Sequence, residues 1–255
     1  MAKRFGQIVL AAFATGAISI FGLWLLARPA NLHPYFKTAK FNVIAHRGGQ
    51  GLGPENTLAT FQLSLEKGAN VLEMDVRSTS DGHLIALHDD TVDRTTDGSG
   101  TVNKMSLIQV KKLDAGYYWS NDSGENCPFR SQGITEPTLP EVFEAVDGTP
   151  LIIEIKEDRP SISERLCKEI RYHHRIFSVL VASIHSQVLY SFRSICPDVA
   201  TAAGPSEAMW FYFLYRVGLT SLYSPAEHAL LIPKTFKGRN VISNQFIEAA
   251  HRRHL

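Results

Sequence analysis

Two carboxylates two residues apart in an apolar run, "VLEMDV" at 71 to 76, are the first residues of this chain whose spacing could do chemistry. In a β-strand alternate side chains share a face, so Glu73 and Asp75 stand together while Leu72, Met74 and Val76 take the other side. Adjacent carboxylates repel, and a divalent cation between them removes the repulsion; oxygen-only donors suit Mg2+ or Ca2+ better than zinc. The bland alternative, a strand with one solvated face, fits an antiparallel edge better than a buried parallel strand. A second run, "LIIEIK" at 151 to 156, repeats the pattern, with Glu154 and Lys156 on one face and Ile153 and Ile155 on the other. Glu154 is a third candidate ligand, and the ammonium of Lys156 beside it points to an anionic ligand. Taken alone, this pair also fits a structural ion pair.

Two histidines stand at the ends of short β-like runs, His46 after "NVIA" and His88 after "LIAL". In a parallel barrel such C-terminal strand ends build the active site, and imidazole can give or take a proton near neutral pH. His46 and His88 are therefore the candidates for an acid and base pair. His173, His174, His251 and His254 lie on basic helical stretches, where a solvated face explains them. Arg47 follows His46, and its planar fork of donors suits phosphate oxygens. The glycines behind it, in "HRGGQGLGPENT" at 46 to 57, permit positive φ and close approach of a ligand to the backbone. Their spacing matches neither a dinucleotide fingerprint nor a P-loop.

The elements that must position these residues alternate. β-like runs at 42–46, 71–76, 84–88, 151–156, 179–184, 199–203 and 229–233 are separated by helical patterns, the order of a parallel sheet with crossover helices. Asn56 reads as the N-cap of a helix that ends at Gly68, and Thr138 with Glu141 as a capping box. The expected fold is a TIM-type α/β barrel, with a doubly wound open sheet as the alternative. Net charge is +1, which gives no field favouring nucleic acid. Cys127, Cys167 and Cys196 are far apart and read as free, buried thiols. Phe5 to Ala27 carries no charge over 23 residues, enough to cross a bilayer at about 1.5 Å per residue. It reads as an uncleaved single-pass membrane anchor, with residues 1–40 as anchor and linker. The aromatic stretch 207–233 reads either as a core helix or as an interfacial one that meets lipid.

The motifs "HRGGQGLGPENT", "EMDVRSTSDGHLIALHDDTVDRTTDGSG", "TEPTLPEVFEAV" and "LIIEIK", in this order, resemble the glycerophosphodiester phosphodiesterase family. The resemblance implies a TIM barrel over 41–255 and metal-dependent hydrolysis of glycerophosphodiesters to an alcohol and glycerol 3-phosphate. It implies His46 and His88 as acid and base, Glu73, Asp75 and Glu154 as ligands of Mg2+ or Ca2+, and Arg47 and Lys156 as phosphate contacts. Glu55 and Asn56, at the family's P-E-N-T position, are expected to help order the active-site loop and so to serve substrate binding, and the segment 116–134 is expected beside the substrate. The family pattern continues past the last helix of this sequence into another strand and helix, so the resemblance also implies a barrel short of its final unit. The expected partners are a glycerophosphodiester or, in the alternative, a lysophospholipid, together with membrane lipid. A catalytically impaired barrel that only binds is the reading from another class.

Overall fold

The computed structural model describes Gly22 and residues 24–37, 43–159 and 161–255. Five parallel strands lie side by side in chain order: β1 (Ile44–Ala45), β2 (Val71–Ser78), β4 (Leu151–Ile155), β5 (Val179–Ser183) and β6 (Ala200–Thr201). The helices between them are α1 (Leu58–Glu66), the short α2 (Leu107–Val110), α3 (Leu139–Ala145), α4 (Ser161–Tyr172) and α5 (Ser186–Ile195). This succession is the wall of a TIM-barrel-like α/β fold.

The strand pattern decides which face carries the core. Leu72, Met74, Val76, Leu151, Ile153, Ile155, Val179 and Val181 pack against Phe61, Val142, Phe143, Leu166, Ile170, Leu189 and Phe192 of the helices. Burying each such side chain stabilises by about 1.5–3 kcal/mol relative to exposure. That leaves the other face of β2 and β4 free to hold charge. The helices start where their caps allow. Thr57, one residue later than expected, caps α1 by accepting from the backbone N–H of Thr60, and Thr138 with Glu141 forms the expected capping box of α3.

The run at 84–88 is not a wall strand. Its regular part, β3 (Leu84–Ala86), pairs antiparallel with Val76–Ser78 at the far end of β2. Residues 79–83 alone join the two strands, and a parallel crossover needs about a dozen or more. The run at 229–233 forms no strand either. Leu230 and Ile232 pack against a second cluster built on Phe211, Leu214, Tyr223 and Phe246, so the run serves packing without a ladder. A hairpin follows instead, β7 (Thr235–Phe236) and β8 (Arg239–Asn240), turned by Lys237 and Gly238, both at positive φ.

The cysteine reading is also corrected. Cys167 of α4 and Cys196, at the end of α5, form a disulfide, and Cys127 remains free. Helix packing brings their Cα atoms to 5.8 Å, which spacing in the sequence does not reveal.

The chain divides into two compact units. One, His33–Gly204, holds β1 to β6 and α1 to α5. The other joins the described residues up to Leu32 with Pro205–Leu255; it contains α6 (Pro205–Arg216), β7, β8 and α7 (Asn244–His251). The apolar run Phe5–Ala27 lies outside the described residues except for Gly22 and residues 24–27. Among the described residues no helix is long and apolar enough to cross a membrane.

Candidate active site

Glu73 and Asp75 project from one face of β2, and Glu154 of β4 stands in register opposite Asp75. The three carboxylates each place an oxygen within 4.8 Å of the others. Asp75 is fully buried and Glu73 nearly so. Glu73 is pushed up to about 7, first by burial and then by the charge of Asp75, against the backbone N–H of Arg47. Lys156 Nζ lies 2.9 Å from Glu154 Oε1 and 3.1 Å from Asp75 Oδ1. Even so, Asp75 Oδ1 is buried with no aligned hydrogen-bond donor. A hard oxygen cluster with an orphaned, buried lone pair fits a divalent cation.

Arg47 reaches this cluster through an unusual backbone. Arg47, Gly48 and Gly49 have φ of 51°, 74° and 104°, three left-handed residues in succession. This turn points the Arg47 backbone N–H at Glu73 Oε2, 2.6 Å away. The Arg47 guanidinium donates from Nη1 to Glu55 Oε1 at 3.0 Å, and its Nε lies 3.8 Å from Asp75 Oδ2. A Cβ on Gly48 would sit 2.2 Å from the Phe61 ring, and one on Gly49 2.0 Å from Ser64 Oγ. The glycines are required for both conformation and space.

Glu55 and Asn56 make their contacts within the protein, as residues that order the loop do. Asn56 is buried; its side-chain NH2 donates to Asp75 Oδ2 at 2.9 Å and its carbonyl accepts from the Asp75 backbone N–H at 3.1 Å. It orients a carboxylate. Glu55 is held by Arg47 and, in two hydrogen bonds of 2.6 and 2.8 Å, by Arg94. Burial alone would raise its pKa, but the two arginines bring it below the ordinary carboxylate value.

The histidines differ in setting. His46 begins a 3-10 turn directly after β1; its Nε2 is 4.0 Å from Glu73 Oε2 and its ring is largely exposed. His88 sits two residues past β3, so the hairpin and not a barrel strand delivers it. Its Nδ1 is 2.6 Å from Asp89 Oδ1, and Asp89 Oδ2 accepts from Arg94 Nε at 2.6 Å. Burial pushes Asp89 up, yet its bonds to Arg94 and His88 outweigh that and bring it down to about 2. Asp89 is thus an anion that fixes Nδ1–H on His88 and leaves Nε2 as the ring's acceptor.

Asp89 and Arg94 were not singled out in the sequence. Arg94 joins the carboxylate behind His88 to the one behind Arg47. The adjacent "HD" pair was a usable signal, but Arg94 depends on the fold of the loop after it. A shallow, open groove of about 330 Å³ runs beside His46 along β1, with the exposed Val43, Ile44 and Leu52 among its walls. The carboxylates and Lys156 are not part of it.

Residues 46–253 match the glycerophosphoryl diester phosphodiesterase family. Over 162 residues the chain is 41% identical to the glycerophosphodiester phosphodiesterase of Caldanaerobacter subterraneus subsp. tengcongensis, covering 62% of this chain and 63% of that one. The chain spans under two thirds of the length of the first curated relatives it matches. Among solved structures, it is similar to a glycerophosphodiester phosphodiesterase from Agrobacterium tumefaciens, at 25% identity over 84% of each chain and a TM-score of 0.64. A phosphodiesterase from Oleispira antarctica, solved in complex with the product sn-glycerol-3-phosphate, shares the fold at a TM-score of 0.58 and 24% identity, covering 84% of this chain and 90% of that one.

Proposed function

The chain belongs to the glycerophosphoryl diester phosphodiesterase family, and on that premise we propose that it hydrolyses glycerophosphodiesters to an alcohol and glycerol 3-phosphate. The observation that carries this reading is the convergence of three carboxylates, Lys156 and the Arg47 loop on one face of β2 and β4. Glu73, Asp75 and Glu154 would hold Mg2+ or Ca2+, which when bound polarises the phosphoryl oxygens. Arg47 and Lys156 bind the phosphate and offset its charge. Glu55 and Asn56 hold Arg47 and Asp75 in place. His46 and His88 form the acid and base pair: one takes the proton of the attacking hydroxyl, the other protonates the departing alcohol oxygen. His88 is the better oriented, because Asp89 fixes its tautomer.

The attacking hydroxyl is that of water or of the substrate's own glycerol. The second case passes through a cyclic glycerol phosphate that water then opens, so product analysis at short times separates them. A second substrate reading is a lysophospholipid whose acyl chain lies along the open groove beside His46. We further propose that Phe5–Ala27 anchors residues 41–255 to a membrane as a single pass.

The test is choline release from glycerophosphocholine and from lysophosphatidylcholine by the full chain, with Mg2+, with Ca2+ and with chelator. Cation-dependent release that falls by about 10²-fold or more in His88→Ala supports the proposal. Wild-type turnover no greater than that of His88→Ala would make the chain a binding protein instead.

A further inference from the structure

Helix α6 carries apolar side chains on two faces, one buried and one exposed. Phe211 and Leu214 are buried, in a cluster with Phe246 of α7. On the outer side Met209, Trp210, Phe213 and Val217, just past the helix, are 67%, 53%, 51% and 49% exposed. At about 100° per residue these four fall within a sector of roughly 100°. Trp210 and Phe213 stack at 5.4 Å, so the stripe is an ordered aromatic surface. Such a face on a polar rim is a contact surface waiting for an occupant.

Its charges say which occupant. From 205 to 255 the six basic residues Arg216, Lys234, Lys237, Arg239, Arg252 and Arg253 outnumber the three carboxylates, Glu207, Glu227 and Glu248, of which Glu227 is buried. The hairpin of β7 and β8 carries two of these cations with the exposed Phe236, over whose ring Lys237 Nζ lies at 5.6 Å. Aromatic side chains with an excess of lysine and arginine over carboxylates match the boundary of an anionic bilayer. The same unit includes exposed Trp24, Leu25 and Leu26 at the end of the uncharged run Phe5–Ala27. On the anchor reading proposed above, on which this step rests, a bilayer is also the solvent of the chain's longest apolar run.

We propose that the outer stripe of α6 lies in the interface of an anionic lipid bilayer, with Trp210 and Phe213 at headgroup depth. This contact is independent of catalysis by the other unit. It holds the Pro205–Leu255 unit on the surface rather than leaving it to swing on an anchor.

The experiment uses the full chain with Trp24→Phe and Trp119→Phe, which leaves Trp210 as the sole tryptophan. It is reconstituted in vesicles of equimolar phosphatidylcholine and phosphatidylglycerol, with or without bromine on the upper acyl carbons. The proposal expects Trp210 emission to be quenched by the brominated lipid, and the quenching to be lost in Phe213→Asp. Equal emission in brominated and plain vesicles overturns it. So does a detergent-solubilised dimer that Phe213→Asp splits without any lipid quenching, which would assign the stripe to a second copy. Choline release by the same variants is read in parallel, so failure of the lipid contact and failure of the catalytic reading are separate results.

Discussion

At the scale of single residues, the arginine at 94 couples the two halves of the site. Its Nε holds Asp89 behind His88, and its Nη atoms hold Glu55, which holds Arg47. Residues that act through one shared partner are not additive. Asp89→Asn should lower kcat by removing the anion that supports the His88 imidazolium. Arg94→Lys should lower kcat and also raise KM, because a lysine cannot fork to both carboxylates. The double variant should lose less than the product of the two single losses; full additivity would show that Arg94 does not act through Asp89. A second prediction concerns Glu136, fully buried and, among the described residues, accepting only from Thr95 Oγ1, at 3.3 Å. Burial, then the charge of Glu55, raises it to about 8. A raised carboxylate contributes stability that is complete below its unfolded value and is lost as pH rises through the folded one. The isosteric Glu136→Gln should therefore melt later than wild type above about pH 8 and gain nothing near about pH 4. Melting curves across that window check the sign.

At the scale of elements, the strand period made Glu73, Asp75, Glu154 and Lys156 legible, since alternation assigns their common face without tertiary information. Other features needed the third dimension. The 84–88 run looks like any wall strand, and only its short link to β2 betrays the antiparallel return that brings His88 to the site. The 229–233 run shows that apolar content alone does not distinguish a ladder from packing, whereas the Lys237–Gly238 pair of the true hairpin carries a local turn signal. Asp89 and Arg94 sit in a loop without periodicity, so nothing local marks their partners. The glycine turn is the element on which the site most depends. Gly49→Ala must place a Cβ against Ser64 Oγ and hold an alanine at φ of 104°. We expect a loss of about 1–3 kcal/mol in denaturant unfolding, together with loss of activity as the Arg47 N–H leaves Glu73. Ser64→Ala removes the clash partner and also the hydrogen bond from Ser64 Oγ to Gly48 O but leaves the φ, so adding Gly49→Ala to Ser64→Ala should cost less than adding it to wild type, without the cost vanishing.

At the scale of the whole molecule, the disulfide links two helices of the unit that carries the site. Cys167 and Cys196 are both buried, whereas Cys127 lies partly exposed in the loop 116–134. Closing a loop of 29 residues by sequence separation stabilises a fold by about 2–4 kcal/mol, mainly by limiting the unfolded chain. Such bonds persist where thiols are not kept reduced. If Phe5–Ala27 anchors the chain, the unit bearing His46 and His88 should face the oxidising side of that membrane. Protein taken from its native membrane and unfolded without reductant should then add one maleimide-linked polymer, at Cys127, and add three only after reduction. Addition of three without reduction would place the site on the reducing side, with Cys167 and Cys196 as packed thiols. The stability side of the argument has its own measurement. Cys167→Ser with Cys196→Ser should lower the unfolding midpoint of the oxidised protein toward that of the reduced wild type. It should leave the cation requirement of catalysis unchanged, because the bond ties α4 to the end of α5 and touches no residue of the carboxylate cluster.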